Sequence, residues 1–366
     1  MNAAPSVTIP APISIAQPKP RPLWLVRLLQ YEYWPFYIFF APMVIYYVYM
    51  AIRSRSLTFF TAVNPSIRLG GLFGESKSAI LATVPAAFRP QTLLIGANAS
   101  TEQVLSQMTQ QGLSFPVVCK PDVGERGEGV RVITSKTELS QWLLLHPDEP
   151  FLVQEWVAGP LEFGVFYYRM PNGNASGVTS VVQKEFLTVT GNGYATIRKL
   201  LEQNERARMT WNELEPIIAQ LGNQVPASGE TVLIQPIGNH CRGTKFLNAN
   251  HLRSSQLTHI FDQIAAPMAG FDYGRFDIRV PSVGDLLAGR NIRVLEVNGV
   301  TSEPGHIYDP DYSLWRAYAD IAYHVKLLYR ISEQRRKAGT SVASARTVLR
   351  CLYRRFGSSE PSATHE

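Results

Sequence analysis

The sequence predicts an α+β protein whose folded body follows a hydrophobic, membrane-associated N-terminal segment. From residue 57 onward, short apolar runs alternate with Gly, Pro and Asn turns and with helical stretches, and tight apolar–turn–apolar pairs indicate antiparallel sheet. Residues 33–52, by contrast, contain no charged side chain. The chain has 366 residues, 45% hydrophobic and 17% charged, so it contains enough apolar residues for a large core and too many for a disordered protein.

The hydrophobic segment is predicted over residues 31–56, after a flexible basic tail over residues 1–30. As a helix, its uncharged stretch would be about 30 Å long, which is the thickness of a bilayer's hydrocarbon core. Tyr and Trp crowd the start of this stretch and Arg53 and Arg55 follow its end, as is typical of a membrane boundary.

The sequence does not decide how this segment is placed relative to a membrane. Pro35 and Pro42 each remove a helix hydrogen bond, which counts against a regular spanning helix. A single span, an interfacial or re-entrant seat and a buried helix are therefore all retained. The expected location is the cytoplasmic side of a membrane, because the three cysteines are widely separated, form no CxxC pair and favour a reducing compartment.

The net charge of +6 is distributed unevenly along the chain. Residues 1–56 have a net charge of +4 and residues 321–356 of +8, whereas residues 57–320 have a net charge of −4. An acidic body argues against nucleic acid as a partner. Basic ends favour a membrane lipid surface, and solvated basic tails are the alternative.

The elements of the body follow from its periodicity. Strand-like runs are predicted over residues 92–96, 115–120, 130–133, 151–156, 163–168, 179–186, 231–236, 275–280 and 292–297. Helices are predicted over residues 101–111, 136–145, 195–206, 210–220, 252–267 and 313–337.

The first segment with candidate chemistry is FPVVCKPDVGERGEGVRVI, residues 115–133. A strand ends at Lys120, and a loop containing Gly124, Gly127 and Gly129 leads into a second strand. Glycine-rich hairpins allow backbone N–H groups to approach phosphate closely, and a lysine at a strand end supplies positive charge. An ordinary turn is the alternative.

The second segment is FLVQEWVAGPLEFGVFYY, residues 151–168. Its first strand delivers, in order, Gln154, Glu155, Trp156 and Val157. Such a strand end offers backbone N–H and C=O groups to the edge of a purine base. Glu162, which opens the next strand, is placed to accept hydrogen bonds from ribose hydroxyls, and a solvated acid is the alternative.

The third segment pairs DYGRFDIRV with NIRVLEVNG. Glu296 and Asn298 are two residues apart and therefore share a face of a strand, and Asp277 on the neighbouring strand can share it too. Two carboxylates and an amide oxygen form a hard oxygen donor set that suits Mg²⁺. The alternative is a salt-bridge ladder formed by Arg275, Arg279 and Arg293.

Taken in this order, the three segments resemble the ATP-grasp fold, most closely the D-alanine–D-alanine ligase-like carboxylate–amine ligases. The resemblance covers roughly residues 115–310 and implies two α+β subdomains that clasp ATP, the small one over 115–157 and the large one over 158–320. Residues 57–114 would then be a truncated N-terminal α/β region, and residues 321–366 a basic C-terminal helix and tail.

The resemblance also implies roles for individual residues. It makes Lys120 a phosphate lysine, Glu155 a hinge residue, Glu162 the ribose acid, Arg275 a substrate-side group, and Asp277, Glu296 and Asn298 the metal ligands. Lys77 and Lys184 are further candidates for contact with the nucleotide, and His240 and Arg242 for the phosphoryl-transfer centre. The GNGYATI segment is similar to a motif of cyanophycin-synthetase-type ligases, with Asn192 where that family has Asp.

The implied activity is an ATP- and Mg²⁺-dependent carboxylate–amine ligase, with Mn²⁺ as an alternative metal. It would form an amide or peptide bond between a small carboxylic acid and an amine through an acyl phosphate. Two alternatives stay open: a kinase on the same fold, and a catalytically inactive, membrane-anchored nucleotide-binding protein. An oligomeric assembly is compatible with the sequence.

Overall fold

The computed structural model describes residues 20–124 and 127–356, with the side chains of 354–356 omitted. The predicted α+β class is confirmed. The described strands are β1 (Thr92–Ile95), β2 (Val117–Pro121), β3 (Arg131–Ile133), β4 (Phe151–Glu155), β5 (Leu161–Arg169), β6 (Ser176–Glu185), β7 (Thr188–Thr190), β8 (Thr231–Leu233), β9 (Lys245–Asn248), β10 (Tyr273–Val280) and β11 (Arg293–Asn298). The helices are α1 (Leu23–Leu29), α2 (Phe36–Ser54), α3 (Lys77–Thr83), α4 (Thr101–Gln110), α5 (Lys136–Leu145), α6 (Ile197–Gln203), α7 (Glu205–Met209), α8 (Trp211–Leu221), α9 (Ser255–Ala265), α10 (Val283–Leu287), α11 (Leu314–Lys337) and α12 (Ala345–Phe356).

The smaller of the two main sheets has four strands in the order β1-β4-β2-β3, all antiparallel. Its apolar side packs on α4 and α5 around Trp142, which is fully buried. Ser100 begins α4 with a capping box that includes the Gln103 side chain, so this helix start is specified locally. The predicted boundary at residue 115 is too late, because β1 pairs with β4 and belongs to this unit.

The larger sheet has five antiparallel strands in the order β11-β10-β5-β6-β9. Alternation along β5 and β10 sends Phe163, Val165, Phe276 and Ile278 to one side, where α9, α10 and α3 cover them. The residues between them face the opposite side, which carries the candidate site. The apolar side therefore anchors the strands whose other side holds charged groups.

A third, smaller unit follows β6. The two-stranded sheet β7-β8 packs with α6, α7 and α8 around Leu201 and Leu214, both fully buried. Its helices cover the sequence predicted as helical over 195–206 and 210–220, with a break at Asn204, whose side chain caps α7.

The N-terminal segment is folded against the body rather than extended from it. The predicted flexible tail over residues 1–30 is wrong over 23–29, which form α1, while residues 1–19 lie outside the described part of the chain. Helix α2 packs along α11 and continues through Pro42. By length and composition alone, α2 is the one helix among the described residues that is able to cross a membrane.

Candidate active site

The charged side of the large sheet contains acids and bases in adjacent rows. Glu162 lies between Lys184 on β6 and Arg279 on β10, and Asp277 lies opposite Glu296 on β11. Cross-strand partners on an antiparallel sheet share a face, so these five side chains converge. The predicted grouping of Asp277 with Glu296 is therefore present.

The charges in these rows are paired at short distance. Lys184 Nζ lies 3.0 Å from Glu162 Oε1 and 3.2 Å from Asp277 Oδ2. Arg275 Nε donates to Asp277 Oδ1 at 2.8 Å, and Arg279 Nη2 donates to Glu162 Oε2 at 3.0 Å. Unpaired charges at this depth would be strongly destabilising, so these pairs are needed for the fold as well as for any chemistry.

The protonation states follow from this pairing. Burial opposes ionisation of Asp277, but the nearby Arg275 and Lys184 outweigh it and lower the pKa of the carboxyl group. Burial likewise opposes the charge on Lys184, and Asp277 and Glu162 outweigh it and raise the pKa of the ammonium. Asp277 is thus a carboxylate and Lys184 an ammonium at neutral pH.

Gly164 makes room for this cluster. It lies opposite Asp277 in the sheet, and a Cβ atom there would be 2.8 Å from Val182 Cγ1 and 3.1 Å from Arg275 Cδ. The role of Gly164 was not predicted from the sequence, although a glycine inside an otherwise continuous strand signals close approach of a neighbouring group.

The salt-bridge ladder considered as an alternative is realised in part. Arg275 and Arg279 bind carboxylates, whereas Arg293 donates to the Ala87 carbonyl oxygen at 2.5 Å, away from the acids. Ion pairing and a metal-ligand role are compatible on this face, because the Glu296 side chain forms no hydrogen bond or ion pair with the described residues.

The donor set fits a hard divalent cation in its chemistry. Asp277, Glu296 and Asn298 supply carboxylate and amide oxygens from one face of two adjacent strands, and no bulge separates Glu296 from Asn298. Within residues 20–124 and 127–356, no group of three or more His, Cys, Asp or Glu is arranged around a metal position. The protein would therefore offer two carboxylates and the Asn298 amide oxygen, and phosphate and water would supply the remaining ligands.

Lys120 connects the two main sheets. Its Nζ donates to Gln154 Oε1 at 3.1 Å within the small sheet and to the Leu295 carbonyl oxygen at 3.1 Å in β11. Burial lowers the pKa of this lysine, an effect that the neighbouring Glu296 opposes. The predicted phosphate lysine thus lies beside the predicted metal ligands, between the sheets.

The glycine-rich hairpin contacts two other residues of the site, Lys77 and Arg242. Lys77 Nζ donates to the Gly124 carbonyl oxygen, and a Cβ atom on Gly127 would lie 3.5 Å from Arg242 Nε. Arg242 Nη1 also donates to the Val130 carbonyl oxygen at 3.3 Å. At Gly129, with φ of +69°, a Cβ atom would be 2.7 Å from Pro121 Cγ, so the hairpin needs glycine there.

The side chain of Arg279 packs against the predicted hinge at the end of β4. The guanidinium of Arg279 lies 4.6 Å from the Trp156 ring centroid and donates to the Val157 carbonyl oxygen at 2.9 Å. The same guanidinium pairs with Glu162, so both acceptors predicted for the nucleotide are engaged by one arginine. The Glu155 carboxylate, in contrast, is exposed and accepts from the Gln91 backbone N–H at 3.1 Å.

Glu75 is a second residue that sequence reasoning missed. Its Oε2 is buried without a hydrogen-bond partner among the described residues, and burial raises the pKa of the carboxyl group. Lys77 and Glu296 are close enough to influence it electrostatically. The segment is held there because Gly71, with φ of +88°, packs its backbone directly on Gly299.

The loop that carries His240 is tied to the N-terminal segment. His240 Nε2 lies 2.9 Å from Glu32 Oε2, and both oxygens of Glu32 accept from Arg206 Nη2 at 2.7 and 2.8 Å. Glu32 is buried although it adjoins the hydrophobic segment. The His240 imidazole, a predicted candidate for the phosphoryl-transfer centre, is therefore engaged by Glu32.

A serine, a histidine and an aspartate also form a hydrogen-bonded chain. Ser180 Oγ lies 2.7 Å from His306 Nδ1, and His306 Nε2 lies 3.0 Å from Asp320 Oδ2. Ser180 and His306 are each only 1% exposed. Because a nucleophile must reach its substrate, this chain is a structural network within the core.

The sequence matches no protein-family model and no curated protein. Several solved structures match with a probability of 1.00. They include the VanG D-Ala:D-Ser ligase from Enterococcus faecalis, with a TM-score of 0.40, 15% identity, and coverage of 69% of this chain and 61% of that one. The D-alanine–D-alanine ligase from Bacillus anthracis gives 0.39, 16%, 71% and 66%, respectively.

A bifunctional glutathione synthetase from Pasteurella multocida also matches, with a TM-score of 0.36, 14% identity, and coverage of 68% of this chain and 35% of that one. The chain thus spans between 35% and 66% of the length of these three structures. At TM-scores of 0.36–0.40 and identities of 14–16%, these likenesses carry no functional argument, and the contacts within this chain have to support any proposal.

Proposed function

We propose that the protein is an ATP- and Mg²⁺-dependent carboxylate–amine ligase that works through an acyl phosphate. The observation that carries the proposal is the position of Lys120, whose ammonium reaches from the small sheet to the strand that bears Glu296 and Asn298. A lysine and two opposed carboxylates between two sheets suit a metal-bound polyphosphate better than they suit a purely structural interface.

Each charged group has a role in this proposal. Asp277, Glu296 and Asn298 would hold the metal, which would supply positive charge beside the phosphates. Lys120 and Lys184 contact phosphate oxygens as positive charges. Arg275, which is fixed by Asp277, stabilises charge that develops on the reacting acyl group.

Recognition of the nucleoside uses the end of β4. Gln154, Trp156 and Val157 border the base, Glu162 accepts from the ribose hydroxyls, and the exposed Glu155 closes the strand. The side chain of Arg279 shares these acceptors and moves aside when nucleotide binds. Lys77, Arg242 and the hairpin of Gly124, Gly127 and Gly129 cover the phosphates and exclude water, which would hydrolyse an acyl phosphate.

The reaction proceeds in two steps. An oxygen of the carboxylic acid attacks the γ-phosphorus of ATP, the bond to the ADP leaving group breaks, and an acyl phosphate forms. The neutral amine then attacks the acyl carbon, phosphate leaves with the bonding electrons, and the nitrogen gives up one proton to the departing phosphate, which gives an amide, ADP and inorganic phosphate.

Membrane association at the cytoplasmic side is part of the proposal. It is supported by the apolar α2 helix, 17% of whose most hydrophobic window is buried, and by the basic residues that border it.

The test is an ATP-turnover assay with mixtures of carboxylic acids and amines in the presence of Mg²⁺, read by mass spectrometry. The proposal predicts ADP together with an amide product for at least one acid–amine pair. Hydroxylamine added with the acid alone is expected to give a hydroxamate, which reports the acyl phosphate. A stable phosphoester in place of the hydroxamate would identify a kinase, and ATP binding without turnover would identify an inactive nucleotide-binding protein.

A further inference from the structure

Helix α2 has two apolar sides, and the protein covers one of them. Phe39, Met50 and Ala51 are buried against α11 and its neighbours. The opposite side forms a continuous stripe of exposed residues: Tyr37, Ala41, Val44, Ile45, Val48 and Ile52. A helix that is apolar on all sides is expected to be buried on all sides, but no part of the described chain packs against this stripe.

The covered side runs along the whole helix. Phe39 near the start packs with Ile307 and Ala317, and Met50 near the end packs with Leu327. The last residue of α2, Ser54, accepts from Arg336 Nη1 at 2.8 Å through its Oγ. Helix α2 is thus attached to the body from end to end, and crossing a bilayer would require all of these contacts to break.

Helix α11 is unable to enter hydrocarbon together with α2. It carries a charged residue in nearly every turn, and Arg316, Lys326 and Arg330 among them are exposed. Charged side chains at the bilayer centre are costly in free energy, and these face the protein surface rather than partners in a membrane bundle. The pair of helices therefore has to stay at the membrane surface.

The charge around the stripe identifies what covers it. Between residues 22 and 56 the exposed charged side chains are Arg27, Arg53 and Arg55, all basic, while Glu32 is buried against Arg206. Basic residues beside an apolar face bind the anionic headgroups of a membrane while the apolar side chains enter the acyl boundary. A protein partner would have to supply an equally apolar and acidic face.

We propose that α2 lies in the plane of an anionic membrane surface as a monotopic anchor, with the stripe of Tyr37, Ile45 and Ile52 in the lipid, and does not span the bilayer. This inference rests on the proposed membrane association and adds its topology. Because α2 is followed directly by the segment that leads to Glu75 and Lys77, the body is held close to the lipid surface.

The first experiment measures sedimentation of the full chain with vesicles of equal parts phosphatidylcholine and phosphatidylglycerol. The double variant Ile45→Glu/Ile52→Glu is expected to bind about tenfold more weakly, because both side chains are more than two-thirds exposed and would enter the apolar layer. Leu144→Glu on α5, 80% exposed, is the matched control and should bind like the unaltered chain. Equal thermal melting temperatures will show that the variants fold.

The second experiment decides the topology. Membranes from cells that express the full chain are extracted with alkaline carbonate, which releases surface-bound proteins and leaves spanning helices in place. We expect the protein to be released. Retention in the pellet would contradict the in-plane orientation of α2 but not the membrane association. Absence of vesicle binding, equal binding to pure phosphatidylcholine, or a dimer that Ile45→Glu/Ile52→Glu dissociates would overturn the lipid assignment. ADP formation in solution tests the ligase proposal separately.

Discussion

The two sides of the five-stranded sheet are made from the same strands and have opposite compositions. On one side, Phe163, Val165, Phe276 and Ile278 are fully buried beneath helices. On the other, Glu162, Lys184, Asp277 and Arg279 are almost as deeply buried but charged, and each is held by an opposite charge. The strand period of two keeps the sets apart, so substitutions on the two sides should have separable consequences.

The difference shows how a charged site is supported at this depth. Buried ion pairs contribute little net stability and are costly to break, so the apolar side has to supply the free energy that holds the strands together. The charged side is then free to be arranged for ligands. We expect changes on the apolar side to alter stability, and changes at the metal ligands to alter turnover.

The largest effect is expected from Glu296→Gln. The substitution keeps the size of the side chain and removes the negative charge of a proposed metal ligand, so ADP formation should fall about 1000-fold, or about 4 kcal/mol in activation free energy. An assay of ADP release with Mg²⁺ and a productive acid–amine pair measures it. Glu185→Gln, at the exposed end of β6, is the control and should keep full activity. Undiminished turnover in Glu296→Gln would remove this residue from the reaction.

The next effect concerns the opposite side of the sheet. Ile278→Ala removes buried methyl groups and should lower the free energy of unfolding by about 3 kcal/mol while ADP formation per folded molecule stays constant. Urea denaturation measures the stability. Leu94→Ala, at a position that is 54% exposed on the small sheet, should change it by far less. A specific loss of turnover in Ile278→Ala would show that the two sides are coupled.

A pH-dependent effect is expected where the charged side meets α11. His324 is fully enclosed beside Phe166 and Tyr273, and burial lowers its pKa from 6.5 to about 3. His324 therefore takes up a proton near pH 6.5 in the unfolded chain, but only near pH 3 in the folded protein. Stability is complete above pH 6.5 and is lost as the pH falls, by about 2 kcal/mol at pH 5.

This contribution can be isolated by denaturation at pH 7 and pH 5. His324→Phe should show a smaller loss between the two values than the unaltered chain, because no imidazole remains to be protonated on unfolding. His259→Phe, at an exposed position on α9, should leave the difference unchanged. An identical pH dependence in all three proteins would contradict the neutral, buried state of His324.

The smallest effect is expected at the proposed hinge. Arg279→Met removes the guanidinium that competes with nucleotide for the Val157 carbonyl and Glu162, while Lys184 still pairs with Glu162. The KM for ATP should fall about fivefold, which corresponds to one hydrogen bond of about 1 kcal/mol, with little change in kcat. Arg290→Met on an exposed turn should leave KM unchanged. A rise in KM would show that Arg279 binds the nucleotide instead of competing with it.

The sequence predicted the parts of the site that depend on spacing within one segment. Glu296 and Asn298 are two residues apart on a strand, so they share a face of it whatever the fold. Lys120 follows an apolar run, so its position at a strand end could also be predicted from the sequence. Gly164 and Arg279 were not assigned their positions because these depend on which strands pair and in which register. The orphaned Glu75 oxygen depends on a close backbone contact between Gly71 and Gly299, which spacing does not reveal.

In the N-terminal segment, too, the features that depend on tertiary packing could not be predicted from the sequence. Its apolar composition predicted a membrane segment. The sequence did not show whether that segment spans the bilayer, lies in its surface or packs against the body. Only the contacts of Phe39 and Met50 with the body distinguish the covered side from the exposed one. The buried Glu32, paired with Arg206 and His240, likewise looks in sequence like one acid in a basic tail.

The central claim is that the charged side of the large sheet binds the phosphates of ATP together with a metal ion. Isothermal titration of the full chain with ATP, in the presence and absence of Mg²⁺, tests it most directly. We predict that Mg²⁺ tightens ATP binding at least about tenfold and that Glu296→Gln abolishes this difference while weak metal-free binding remains. ATP binding that is absent from the unaltered chain, or that is indifferent to Mg²⁺ in both proteins, would contradict the claim.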